Sequence, residues 1–162
     1  MAKYSNTFLI GYRATGKTVV GNVLAVKLNK EFIDTYVLVE KKAGTSIKEI
    51  VEKEGWRSFR SLEQKVIKQV SSEENKIVAL GGGALCHEFT DIREENRKMA
   101  KENGRIILLK ADPETIFSRM QGDSKTEGQR PSLTDKGPFE EIISKLKERE
   151  RSILCLSSRL VN

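Results

Sequence analysis

The strongest constraint on the fold is the segment 11–18, which matches the phosphate-binding pattern G-x-x-x-x-G-K-[ST] in full. An apolar, strand-like run precedes it at 7–10, and apolar residues at helical spacing follow it at 19–28. In this order of strand, loop and helix, glycines turn backbone N–H groups toward one anion and the helix adds its positive end. The sequence therefore predicts a nucleotide-binding loop in which Lys17 contacts the outer phosphates and the Thr18 hydroxyl holds Mg²⁺.

The bulk properties favour one small enzyme-sized domain over a nucleic-acid-binding or membrane protein. The chain has 162 residues and a formal net charge of +6, but basic and acidic residues interleave and only 6% of residues are aromatic. A nucleic-acid partner is therefore not expected. The chain has no apolar run of membrane-spanning length, and Cys86 and Cys155 form no disulfide or metal pattern. The N-terminal residues lead directly into the first predicted strand, so no leader is expected. These features predict a cytoplasmic protein without a membrane partner. We also expect a monomer.

Short apolar runs alternate with helical stretches along the chain, which predicts an α/β domain with a parallel sheet. The predicted strands are 7–10, 31–34, 76–80, 105–109 and a short run at 159–161. The predicted helices are 17–28, 46–53, 57–70, 91–103, 113–120 and 139–154. We expect all of these elements to form one domain spanning 1–162.

A polar segment at about 121–137, rich in Gly, Ser, Thr and Asp, interrupts this alternation. Loops of this length in a domain are typically functional or disordered, and in a phosphotransferase the segment would suit a lid. Arg130, followed by Pro131, favours the lid because a mobile arginine can close on the transferring phosphoryl group. A surface loop without function is the alternative.

Two strand ends carry residues suited to ligand binding. Asp34 ends the second predicted strand, and Gly81, Gly82 and Gly83 follow the third. Ligands of open α/β sheets bind beyond the carboxyl ends of the strands. Asp34 is therefore a candidate to hold Mg²⁺ through water or to position an acceptor, with a helix N-cap as the alternative. The glycines would bring bare backbone amides close to a small molecule.

Arg60 and Glu63 lie three residues apart on one predicted helix and share a face. A guanidinium group can bind a carboxylate through two parallel hydrogen bonds, and Glu63 could orient it. A solvated surface pair is the alternative interpretation.

In their order and spacing, these sequence motifs resemble those of the shikimate kinase family over about residues 8–155. The resemblance rests on the phosphate loop, F-x-D at 32–34, G-x-S-I-x-E-I at 44–50, G-x-x-x-F-R-x-x-E at 55–63, the triple glycine, R-P-x-L at 130–133 and R-x-x-L at 151–154. It implies a three-layer α/β/α P-loop kinase with a central five-stranded (or truncated) parallel sheet. A helical substrate-binding region at about 35–64 and a mobile lid at about 121–137 would complete it.

The implied activity is ATP-dependent transfer of the γ-phosphoryl group to the 3-hydroxyl of shikimate, with Mg²⁺, in aromatic amino-acid biosynthesis. The implied catalytic residues are Lys17, Asp34 and Arg130, and the implied metal ligands are Thr18 and, through water, Asp34. The implied ATP-binding residues are Gly11, Ala14, Thr15, Gly16, Lys17, Thr18, Val19, Arg119 (against adenine) and Arg130. The implied substrate-binding residues are Asp34, Tyr36, Arg60, Gly81, Gly82, Gly83 and Arg151, with Arg60 and Arg151 on the carboxylate.

The chain departs from the family at one functional position. The family pattern D-x-D is here Asp34-Thr35-Tyr36, and the second Asp is the residue that the family uses to bind the shikimate hydroxyls. A phenol is neutral at pH 7 and cannot replace that charge. Three hypotheses follow: a shikimate kinase, a weakly active or inactive homologue that binds ligands or regulates, and a P-loop kinase for another small anionic, hydroxylated metabolite. The family also continues beyond the length of this chain, so we expect a more open nucleotide pocket.

Overall fold

The computed structural model describes residues 5–123, 131–153, 156 and 159–161. Its centre is a sheet of five parallel strands in the order β2-β3-β1-β4-β5. The strands are β1 (Asn6–Ile10), β2 (Glu31–Asp34), β3 (Lys76–Ala79), β4 (Gly104–Leu109) and β5 (Arg159–Val161). The predicted five-stranded parallel sheet is confirmed, and each strand begins and ends within one residue of its predicted bounds.

The order of the strands places β1 in the middle of the sheet. Phe8 of β1 is in register with Val78 of β3 on one side and Ile106 of β4 on the other. These three side chains are at most 1% exposed. Their continuous apolar character is typical of parallel strands covered on both faces, because the crossover helices pack above and below the sheet.

Six helices lie along the described part of the chain. They are α1 (Lys17–Leu28), α2 (Thr35–Ala43), α3 (Ile47–Ser71), α4 (Thr90–Asn103), α5 (Pro113–Gln121) and α6 (Pro138–Ile153). Within α3 the backbone leaves the helical region at Gly55, with φ 84° and ψ 168°. A left-handed φ of this kind favours glycine. The two helices predicted at 46–53 and 57–70 are therefore present as two segments joined at Gly55.

Helix α2 is missing from the helices that the apolar pattern predicts, although it lies in the helical region implied by the resemblance and both of its ends carry a clear signal. The Asp34 carboxylate caps its first turn by accepting a hydrogen bond from the Tyr36 backbone N–H at 2.9 Å. Gly44 ends the helix in the left-handed conformation, with φ 70°. An Asp before the nine residues is a usual start signal of a helix, and a Gly after them is a usual stop signal.

The hydrophobic core lies on both faces of the sheet, which gives three layers. On one face, Ala25 of α1 packs with Leu9 and Ile77. On the other face, Ile67 of α3 and Ala100 of α4 join the cluster that contains the β1 and β4 side chains. None of the helices in the described ranges is long and apolar enough to cross a membrane.

The strands are parallel, so the carboxyl ends of β1, β2 and β3 meet at one edge of the sheet. The candidate site residues lie at or shortly after these strand ends.

Candidate active site

The loop 11–16 connects β1 to α1 and adopts a conformation that needs glycine at both ends. Gly11 has φ 149° and Gly16 has φ 96°. A Cβ atom on Gly11 would stand 2.5 Å from the backbone oxygen of Leu109, so the loop passes directly against the end of β4. Gly16 is the N-cap of α1 and supplies no side-chain cap. The first turn of α1 therefore keeps backbone N–H groups available for an anion.

Lys17 lies over this loop. Its Nζ donates hydrogen bonds to the backbone oxygens of Gly11 and Tyr12, both at 2.8 Å. The Thr15 hydroxyl donates to the same Tyr12 oxygen at 2.8 Å. The ammonium group is thus held at the mouth of the loop, where the outer phosphates of a nucleotide would lie.

Thr18 and Asp34 meet across the sheet edge. The Thr18 hydroxyl donates to Asp34 Oδ2 at 3.3 Å, while Asp34 Oδ1 caps α2. The two roles considered for Asp34 are therefore compatible, because each carboxylate oxygen serves one of them. Within the described ranges there is no group of three or more His, Cys, Asp or Glu residues that could hold a metal. A hydroxyl and one carboxylate are the donors that Mg²⁺ uses when phosphates and water complete its shell.

The nucleotide side of the site is a cleft of about 540 Å³. Arg119 of α5 reaches it and donates a hydrogen bond from Nη1 to the backbone oxygen of Ala14 at 3.0 Å. The structure thus brings together most residues predicted to bind ATP. The lining residues are Ala14, Thr15, Gly16, Lys17, Thr18, Val19, Val20, Asp34, Tyr36, Leu80, Arg119 and Asp123.

Arg130 lies outside the described residues, so its predicted role stays a prediction. The segment that follows it is anchored at two points. Arg13 donates from Nη2 to the backbone oxygen of Pro131 at 2.9 Å. The Glu141 carboxylate accepts from the backbone N–H groups of Leu133 and Thr134, both at 2.9 Å. The described C-terminal part of the predicted lid is therefore fastened to the phosphate loop and to α6.

The acceptor side of the site is built on a buried ion pair. Arg60 is 4% exposed and Glu63 is 0% exposed, and Nη1 of Arg60 lies 2.7 Å from Oε2 of Glu63. Burial by itself would lower the pKa of Arg60, but Glu63, Tyr36 and Cys86 together outweigh it and the pKa is raised. The alternative of a solvated surface pair is wrong, and Arg60 carries a fixed positive charge inside the protein.

The triple glycine packs directly against this pair. A Cβ on Gly81 would stand 2.4 Å from Glu63 Oε1, and a Cβ on Gly83 would stand 2.3 Å from Arg60 Nη2. Side chains at either position would therefore displace a buried charged group. The Gly82 backbone oxygen accepts a hydrogen bond from Arg149, described next.

The second arginine beside the glycines is Arg149, not Arg151. Arg149 is 9% exposed and donates from Nη1 to the Gly82 oxygen at 3.1 Å, whereas Arg151 is exposed. Two residues on a helix are separated by about 200°, so the two side chains leave α6 on different sides. The resemblance implies that Arg151 lies in the site, but the structure does not place it beside Arg60 and the glycines. The spacing of Ile142, Leu146 and Arg149 along the helix could have identified the inward face.

Tyr36 lines the acceptor half of the site. Its ring centroid lies 5.8 Å from that of Phe59. A Cβ on Gly81 would be 3.1 Å from two Tyr36 ring atoms. The residue that replaces the second Asp of the family pattern therefore lies beside the triple glycine, where it can contact an acceptor.

A parallel sheet with a phosphate loop after β1, bounded by a cation-rich pocket, defines a P-loop kinase. The family model described as Shikimate kinase matches residues 13–162. Shikimate kinase 2 of Enterobacter sp. (strain 638) is 41% identical over 143 residues, which cover 88% of this chain and 78% of the relative. Shikimate kinase of Syntrophus aciditrophicus is 38% identical over 155 residues, covering 96% and 75%.

Solved structures give the same result. Shikimate kinase from Acinetobacter baumannii in complex with shikimate superposes with a TM-score of 0.87 at 30% identity, covering 98% of this chain and 83% of that one. The enzyme from Bacteroides thetaiotaomicron superposes with a TM-score of 0.83 at 29% identity, covering 97% and 85%. The chain belongs to the shikimate kinase family.

Substitution of Gly83 tests the packing of the ion pair. In Gly83→Ala the new methyl group would push the Arg60 guanidinium away from Glu63, and breaking a buried pair is expected to cost up to about 3–5 kcal/mol of unfolding free energy. Gly137→Ala is the matched control, because nothing lies within 4 Å of its Cβ position. Urea unfolding should separate the two variants, and equal midpoints would contradict the packing described here.

His87, the single histidine of the chain, gives a prediction for pH dependence. Burial, together with the positive charges of Arg60 and Arg93, lowers its pKa from 6.5 to about 3. Its Nδ1 accepts a hydrogen bond from the Phe89 backbone N–H at 3.2 Å, which requires the neutral ring. Because the unfolded chain binds the proton more readily, stability should fall as the pH drops below 6.5, by about 1 kcal/mol between pH 7 and 5.5. Unfolding of wild type and His87→Gln at both values measures this, and an equal pH dependence would contradict it.

Proposed function

We propose that this protein transfers the γ-phosphoryl group of ATP to the 3-hydroxyl of shikimate, yielding shikimate 3-phosphate for aromatic amino-acid biosynthesis. The observation that carries the proposal is the pair of buried guanidinium groups beside the triple glycine. A Cβ on Gly83 would stand 2.3 Å from Arg60 Nη2 and 3.4 Å from Arg149 Nη2. Both cations therefore approach one point at the edge of the phosphate loop, which suits a carboxylate ligand.

We assign Arg149 the carboxylate contact that the sequence resemblance gave to Arg151. Arg149 forms no ion pair with a carboxylate in the part of the chain that the structure describes. A buried charge without a counter-ion is unfavourable, so an anionic ligand at this position gains from neutralising it. Arg60, held by Glu63, supplies the second contact, and the Gly82 backbone borders the ring of the acceptor.

We assign the nucleotide-binding half of the site to the phosphate loop and the side chains around it. Lys17 would exchange its bonds to the loop oxygens for the outer phosphates, and Arg119 would face the adenine. Thr18 and Asp34 would hold Mg²⁺, which supplies positive charge to the phosphates when bound. Arg130, from the predicted lid, would close on the transferring group. Phosphoryl transfer depends mainly on alignment and charge stabilisation, and these side chains provide both.

Tyr36 favours a second candidate, a family member with weak catalysis that binds its ligands. The phenol can exchange a hydrogen bond with an acceptor hydroxyl, but it offers no carboxylate at pH 7. Because the transition state of phosphoryl transfer is loose, it needs little help from a base. We therefore propose that catalysis persists at a reduced rate.

We further propose that the protein acts as a monomer in the cytoplasm, where ATP is available.

The proposal is tested by ADP formation that depends on shikimate. Purified protein with ATP, Mg²⁺ and millimolar shikimate should release ADP well above the rate without shikimate, and Lys17→Met should remove this activity. Restoring the family carboxylate in Tyr36→Asp should raise kcat, by up to about 100-fold if a base had been missing. Absence of shikimate-dependent turnover in both wild type and Tyr36→Asp would refute the proposed reaction.

Substitution of Arg149 and of Arg151, both on α6, gives a matched pair of variants that tests which arginine binds the acceptor carboxylate. Arg149→Met should raise the KM for shikimate about 10- to 100-fold, since a hydrogen bond to a charged group contributes about 1.5–3 kcal/mol. The KM for ATP should change less than about twofold. Arg151→Met, the control on the exposed side of the same helix, should resemble wild type in steady-state kinetics. The reverse result would restore the sequence-based assignment of Arg151.

A further inference from the structure

The Arg149 side chain rests on an aromatic ring that belongs to the phosphate loop. Its guanidinium carbon lies 5.2 Å from the centroid of the Tyr12 ring. Tyr12 is 3% exposed and Arg149 is 9% exposed, so the contact is shielded from water. A guanidinium over an aromatic face is attracted by the ring, and more strongly when both are buried.

The ring of Tyr12, rather than its hydroxyl, makes this contact. The Tyr12 hydroxyl oxygen is buried and has no hydrogen-bond partner among the residues that the structure describes. Burial raises the pKa of this phenol, so it is neutral and attracts the guanidinium only through its aromatic face. The ring itself packs against Ile116 of α5 and Ile142 of α6, which fixes its orientation.

The backbone of the same residue contacts the nucleotide half of the site. The Tyr12 carbonyl oxygen accepts hydrogen bonds from Lys17 Nζ and from the Thr15 hydroxyl, both at 2.8 Å. A phosphate in the loop would draw the Lys17 ammonium toward itself. Tyr12 therefore joins Lys17, through its backbone, to Arg149, through its ring.

We propose that Tyr12 is a positioning residue that holds Arg149 for the acceptor carboxylate and makes acceptor binding depend on the state of the phosphate loop. This inference rests on the proposed function. The Tyr12 ring and the Gly82 oxygen fix the guanidinium from two sides, so Arg149 need not be ordered when the acceptor arrives. Because coupling between two binding sites is reciprocal, nucleotide changes the affinity for the acceptor by the same factor as the acceptor changes the affinity for nucleotide.

Tyr12→Leu and Tyr12→Phe test this inference by calorimetric titration of shikimate, with and without ADP and Mg²⁺. The leucine variant removes the aromatic face, and its Kd for shikimate should rise roughly five- to thirtyfold while its Kd for ADP stays within about twofold. The change in shikimate affinity on adding ADP should shrink in the same variant. The phenylalanine variant keeps the ring and should match wild type in all three quantities.

An Arg149→Met background separates positioning from a general loss of structure. If Tyr12 acts through Arg149, Tyr12→Leu should add no further loss of shikimate affinity in that background. Additive losses, an unchanged shikimate Kd in Tyr12→Leu, or an equal loss in Tyr12→Phe would each overturn the inference. Wild-type protein that binds ADP but not shikimate would instead refute the proposed function, and this inference with it.

Discussion

The acceptor half of the site depends on one buried ion pair, Arg60 with Glu63. Such a pair contributes little net stability, because the removal of two charges from water offsets their attraction. Its structural role is to hold a permanent cation directly against the backbone of the triple glycine. Glycines at 81 and 83 permit that approach, since a Cβ atom at either position would lie within 2.4 Å of one of the charged groups. The pair and the glycines therefore require each other.

The order of the sheet explains why this pair and the phosphate loop lie next to each other. β1 is central, with β3 on one side and β4 on the other, and β2 lies beyond β3. The phosphate loop follows β1, Asp34 ends β2, and the triple glycine comes shortly after β3. Parallel strands direct all three to one edge, so nucleotide and acceptor groups that are far apart in the sequence share one cleft. The fold thus fixes the distance between the phosphate loop and the buried ion pair.

Much of this arrangement could be predicted from the sequence, because the relevant signals are local. The glycine pattern determines the loop, apolar runs determine the buried strands, and Pro113 marks the start of α5. Helix α2 was missed because its nine residues carry a weak apolar pattern, although Asp34 and Gly44 mark its ends. Tertiary features are harder to predict from the sequence. The burial of the Arg60–Glu63 ion pair arises from packing, which the spacing of the two residues along the helix does not reveal.

Arg149 and Arg151 show how a short sequence pattern and helical periodicity can point to different residues of one helix. The match to R-x-x-L aligns letters, but the side of α6 that faces the site is set by the apolar positions that precede it. Ile142 is fully buried, and a step of seven residues from it returns to the same face at Arg149. A step of nine residues reaches Arg151 on another face, which is exposed. Helical periodicity is the stronger argument there, because the buried side chains fix the rotation of the helix.

The replacement at Tyr36 changes the charge balance of the acceptor half. Among the described residues beside the triple glycine, Arg60 and Arg149 are cationic and Glu63 is the carboxylate, with its Oε1 atom lacking a hydrogen-bond partner. An Asp at position 36 would have neutralised the excess positive charge, whereas the phenol packs on Phe59 and leaves it in place. Coulombic attraction for an anionic acceptor is therefore stronger here than with a D-x-D motif, and the attraction for an acceptor hydroxyl is weaker. The same substitution that lowers assistance to the reacting hydroxyl should thus increase the contribution of the carboxylate to binding.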